Sequence, residues 1–221
     1  MYHEQIINFH SGLSLFFAAL CAQSANFYQQ DMQIWTNTGI KKQVKKYDFA
    51  LEQGLRFGQN ASQLSNSFTA FNVGYGILPQ LNIGLGYRLS EIPAIRHRVD
   101  ANLRVKFRFD VGKKKDLYLS NRLRYSKIFR AGKMPQTLIR NAVALEYKQK
   151  KLPIVPHIGY EWFFGQGTDE FGLNRDRAKI GFSTDFGKHI SLDLDYIRQT
   201  QLNAVAPARL HIYSLELLYK L

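Results

Sequence analysis

Charged side chains occupy every second position along several stretches of this chain, a spacing that gathers them on one face of an extended strand. The clearest stretch is residues 96–110, where Arg98, Asp100, Asn102, Arg104, Lys106, Arg108 and Asp110 alternate with Val99, Ala101, Leu103, Val105, Phe107 and Phe109. The polar register of neighbouring segments adds Glu52, Arg56, Arg88, Arg122, Arg124, Arg140, Glu146, Glu161, Arg177, Lys179, Asp193 and Asp195. Arg175, Asp185, Arg198 and Glu216 are assigned to the same register. If these faces line an enclosed lumen, the charges must be paired and hydrogen-bonded, because an uncompensated buried charge is strongly destabilising. Arg104, Lys106 and Arg108 are accordingly expected to pair with Asp100 and Asp110. Such a set can act as a structural ion-pair core or, with its excess of arginine, as an anion-preferring lining.

Enzymatic chemistry has less to stand on. His97, His157, His189 and His211 fall on separate segments, and no Gly-x-Ser-x-Gly or other nucleophile signature lies near them. His97, between Arg96 and Arg98 near a loop, is the one histidine cluster, whereas His211 lies in the apolar register of its segment. No metal-ligand spacing occurs, so neither a metal site nor a cofactor is expected. Gly74, Gly76, Gly84 and Gly86 are small residues on strand faces, not a phosphate loop, because no helical pattern follows them.

The elements that must position these residues are strands. After a weaker segment at 32–44, period-2 alternation recurs at 49–57, 70–77, 82–89, 96–110, 117–125, 139–147, 157–164, 177–186, 191–196 and 213–221. That makes eleven, an odd number, so a missed strand near residues 26–36 or one false strand is expected. Short connections are expected at 45–46, 79–80, 112–115, 150–153 and 187–188, and longer ones near 59–66, 90–95, 130–136, 165–174 and 200–207. Alternation of short and long connections is the pattern of an up-and-down meander. All six prolines lie in connections or at strand ends, where no ladder donor is lost.

Residues 12–21 form a short apolar run before Ala22-Gln23-Ser24-Ala25, as in a secretory signal with a small-residue cleavage site, although no Lys or Arg precedes it. Leu20 before Cys21 argues against lipidation. Residues 1–24 are therefore expected to be the signal and residues 25–221 a single domain, which then has no cysteine. The net charge of +13 loses only Glu4 with the signal and becomes about +14. A basic chain invites a nucleic-acid partner, but a secreted one does not meet nucleic acid.

A soluble, secreted sandwich or lipocalin-like barrel would bury the apolar register instead. Against it stand the Gly, Ser, Asn and paired charges of the polar register, the chain end inside a strand at Leu221, and aromatics at strand ends (Tyr47, Phe57, Tyr87, Phe109, Tyr125, Tyr147, Phe164, Tyr219). The expectation is thus an all-β, up-and-down antiparallel transmembrane β-barrel of about 10–12 strands in the outer membrane of a Gram-negative bacterium.

Gln33-Ile34-Trp35, residues 51–57, Arg96-His97-Arg98, residues 121–125, Tyr160-Glu161-Trp162-Phe163, residues 174–177 and the closing strand occur in an order that resembles an uncharacterised family of outer-membrane β-barrels from Bacteroidota, a domain of unknown function. The similarity covers roughly residues 31–221 and implies fold and location only. The expected role is structural or accessory, with a charged, largely occluded lumen and outer-membrane lipids, lipopolysaccharide among them, as partners. A narrow anion channel and a lipid-modifying rim enzyme are the alternatives. A periplasmic N-terminus would place Lys45, Lys114, Lys151 and Lys188 together on the periplasmic rim.

Overall fold

The computed structural model describes residues 29–112, 115–149, 152–166, 171–202 and 208–221. The expected signal at 1–24, Cys21, Lys114 and Lys151 lie outside the described residues. Alternation of β-branched, aromatic and leucine side chains with polar ones specifies strands throughout, and among the described residues no helix occurs. The strands are β1 Gln29–Val44, β2 Tyr47–Gly58, β3 Gln63–Leu78, β4 Leu81–Ile92, β5 Arg96–Asp110, β6 Lys115–Arg130, β7 Lys133–Gln149, β8 Ile154–Gln166, β9 Phe171–Phe186, β10 Ile190–Gln201 and β11 Ala208–Lys220.

They close into a single barrel in which each strand pairs antiparallel with the next, while β1 and β11 pair parallel, from Gln29 opposite Ala208 to Lys41 opposite Lys220. Eleven strands can close in no other way, since an odd meander ends running in the direction in which it began. The odd count therefore stands, and no strand is missing or false among the described residues. It also separates the chain ends. Gln29 opens the upper rim, whereas the turn at 45–46 and Leu221 lie at the lower one. The shared rim expected for the N-terminus and Lys45 is corrected, because β1 crosses the whole wall between Gln29 at the upper rim and its turn at 45–46 on the lower one.

The expected contrast between a tight rim and a loopy rim is largely absent. The lower connections at 45–46 and 79–80 are two residues long, but on the upper rim 59–62, 93–95 and 131–132 are nearly as short. Ser65 and Asn66, which read as loop, continue β3 past a bulge at Ser67/Phe68, so polar composition conceals strand positions here.

Side chains divide cleanly between two surfaces. Ile34, Leu51, Phe71, Leu85, Leu103, Leu123, Ile158, Ile180 and Leu215 point outward, and each is exposed. Inside, the core proper is small: Trp35, Ile197, Leu210 and Ile212 cluster toward the upper rim, where Ile212 is wholly buried. Two glycines make room for inner side chains. A Cβ on Gly54 would collide with the Phe68 ring, and one on Gly181 would collide with the Asp195 carboxylate and the Leu194 carbonyl.

Candidate functional site: the lumen

The upper half of the lumen is filled by aromatic rings covered by guanidinium groups. Trp35, Phe68 and Phe163 are nearly buried. Arg56 lies 4.1 Å from the Trp35 ring centre and Arg88 3.7 Å from that of Phe68, while Arg177 and Arg175 approach Phe163 at 4.6 and 4.8 Å. A guanidinium sheds water more readily than an ammonium and gains cation–π attraction when desolvated, which makes Arg the suitable cation for such a layer. These rings were not legible as lumen residues. Phe163 adjoins Trp162 and Phe164 of the outer register, and only its place two residues after Glu161 marks it as inward.

Below the rings the charges are paired. Asp100, 2% exposed, accepts from Arg98 at 2.9 Å and Ser126 at 2.6 Å, with Arg124 at 3.6 Å. Glu161 holds Arg140 and, at 3.5 Å, Arg177, whose Nε donates to Gln199 at 2.6 Å. Lys106 reaches Glu146 at 2.6 Å, and Asp195 takes His157 at 2.7 Å and Lys179 at 3.0 Å. Glu52, Asp193, Asp195 and Glu216 gather on one wall around Lys179. Arg108 is an exposed residue at the lower end of β5 and pairs with Asp116 at 2.9 Å.

The pairing expected within β5 is therefore corrected. Asp100 is engaged by Arg98 and Arg124, Lys106 and Arg108 find acids on other strands, and Arg104 has no carboxylate within 4.0 Å among the described residues. The reason is geometric: directly across from Arg104 stands Arg122, and directly across from Arg124 stands Arg140. Arg198 is corrected as well. Alternation from Leu192, Leu194 and Tyr196 carries it to the outer face, opposite His211, while Ile197 turns in against Trp35.

The histidines do not converge. His97 faces outward and its Nδ1 meets the Tyr87 hydroxyl at 2.7 Å, so the Arg96-His97-Arg98 cluster splits across the wall. His211 meets the Tyr196 hydroxyl at 2.6 Å on the outside, and His189 stacks on Tyr219 at the lower rim. Of the four, His157 alone faces the lumen. Outer polar contacts also escaped the sequence pattern: Asn121 and Asn141 bond each other at 3.2 Å, and the Tyr160 hydroxyl donates to Asp176 at 2.7 Å.

A cavity of about 1040 Å³ remains beneath the arginine layer. It reaches Lys45, Lys46, Pro79 and Gln80 at the lower rim, and its floor carries Arg56, Arg88, Arg122, Arg124, Arg140 and Arg177 beside Trp35 and Phe68. The lumen is thus a vestibule open below and filled above.

A family model described as "Protein of unknown function (DUF2490)" matches residues 32–208. The chain belongs to that family. The match runs from the fourth residue of the seam strand β1 to the first residue of β11, so it spans β2 to β10 whole and leaves most of the closing strand outside. No curated protein and no solved structure matches the chain.

Proposed function

We propose that this DUF2490 member is an outer-membrane β-barrel of a Gram-negative bacterium, with residues 1–24 as its secretory signal, and that it serves as a closed binding or accessory barrel. The observation that carries this is the inversion of polarity between its surfaces. Large apolar side chains cover the outside, and charges occupy the inside. A soluble barrel would expose an apolar patch far beyond the few hundred Å² that monomeric soluble proteins tolerate. Aromatic girdles border the apolar band as expected at membrane interfaces: Tyr47, Phe49, Tyr75 and Tyr219 below, Tyr87, Tyr160, Trp162 and Tyr196 above. The upper girdle, with Asp176, Arg198 and His211 beside its hydroxyls, suits the headgroup level of lipopolysaccharide.

The filled upper lumen favours a closed barrel over an anion channel, and the scattered histidines disfavour a rim enzyme. A lower rim on the periplasmic side would open the vestibule to the periplasm. Fractionation of a Gram-negative host expressing the full chain tests the location. The protein should sediment with outer membranes and resist carbonate extraction. Recovery as a monomer in the soluble periplasmic fraction would refute the membrane assignment.

A further inference from the structure

The vestibule is lined by twelve basic side chains against five acidic ones; of the acids, Glu161 already holds Arg140 and Arg177, Asp195 holds Lys179, and Glu52 and Glu216 gather on the wall around Lys179. On the floor the excess takes a specific form. Arg104 and Arg122 are direct cross-strand partners between β5 and β6, and Arg124 and Arg140 between β6 and β7. Like charges placed directly opposite destabilise a sheet, and here the four guanidiniums adjoin one another, Arg122 having Arg104, Arg124 and Arg140 as its cationic neighbours. Arg104 and Arg122 have no carboxylate partner among the described residues, and the buried Nε of Arg140 has no hydrogen-bond acceptor. Repulsion of this kind in a confined, partly desolvated space calls for a counter-anion.

We propose that this patch of four arginines binds a soluble solute bearing more than one phosphate group, which enters through the lower mouth. Phosphate oxygens accept forked guanidinium hydrogen bonds, and two neighbouring guanidinium pairs suit two linked phosphates better than a single carboxylate or halide. Lys45 and Lys46 at the mouth draw anions inward. A lipid phosphate is the less suitable source, since the vestibule lies inside the wall, its lining is polar, and its aromatic rings are buried beneath the arginines. The proposal rests on the vestibule described above.

The test uses the full chain folded in detergent micelles, with tripolyphosphate as the probe and sodium chloride matched in ionic strength as the reference. Tripolyphosphate should raise the unfolding temperature and give a saturable calorimetric isotherm, because a ligand bound only by the folded state stabilises it. Arg122→Gln should weaken the affinity by about tenfold or more while the ligand-free barrel unfolds no earlier than the parent, since a repulsive contact has been relieved. Arg198→Gln, on the outer wall, should bind like the parent. Equal effects of tripolyphosphate and chloride would overturn the proposal, as would loss of binding with Arg198→Gln in place of Arg122→Gln. Binding of dihexanoyl phosphatidic acid without tripolyphosphate binding would also overturn it, by making the ligand a lipid. In each of these cases a heat-modifiable, β-rich barrel in the same micelles would leave the barrel assignment standing, whereas its absence would count against that assignment itself.

Discussion

Asp100 and Arg104 lie four residues apart on one face of β5, yet the structure assigns them opposite consequences. Asp100 is buried and holds Arg98, Arg124 and Ser126, so Asp100→Asn leaves two guanidiniums without their acid. Removing one partner of a buried ion pair typically costs about 3–5 kcal/mol, and a loss of that order is expected in urea unfolding from lipid vesicles. Arg104→Leu, by contrast, abandons no acid and removes one member of a like-charged cross-strand pair. Its stability should equal or exceed that of the parent, and a loss above about 2 kcal/mol would reveal a carboxylate partner that the structure does not give it. Alternation made the shared face of these residues legible, but pairing is decided by what stands across the strand. For Arg104 that is Arg122, and the sequence of β5 alone carries no trace of it.

Strand β5 also offers the sharpest contrast between faces. Leu103 is exposed on the outer wall and Arg104 lines the vestibule, one residue apart. If the outer wall meets lipid, Leu103→Arg should cost about 2–4 kcal/mol in vesicle unfolding, while the neighbouring Arg104→Leu costs nothing. Equal tolerance at the two positions would mean that both faces are wet. Between β2 and β3, Gly54→Ala should destabilise by about 1–3 kcal/mol, because the new methyl meets the Phe68 ring and the packed arginines limit its escape. Wild-type unfolding of that variant would show that the ring is loosely held. The strands themselves were legible from period-2 alternation in all but their ends. Their lengths were not: Ser, Asn and Gln at the upper ends of β3 and β7 resemble loop residues, yet they pair in the ladder.

For the whole molecule, closure was the least legible feature. The β1–β11 seam joins residues nearly a whole chain apart, and neither strand announces in its own sequence that its partner runs parallel. The aromatic filling was equally hidden, since Trp35, Phe68 and Phe163 lie in a register otherwise read as charged or small, and they meet only when the sheet curls into a cylinder. Topology is accessible to labelling. A tag inserted at Asn60 on the upper rim should be reached by antibody on intact cells, and one at Gln80 on the lower rim should not; surface labelling at Gln80 alone would invert the barrel and turn its vestibule outward.

Closure of the upper lumen beneath an otherwise membrane-compatible wall is the central claim, and single-barrel conductance in a planar bilayer tests it most directly. The parent barrel should insert and remain electrically silent. A Trp35→Ala, Phe163→Ala variant, with two of the three filling rings removed, should insert and pass steady current carried mainly by anions, because the passage so opened is lined by arginine. Steady, open-pore conductance from the parent, unchanged in the variant, would contradict the account.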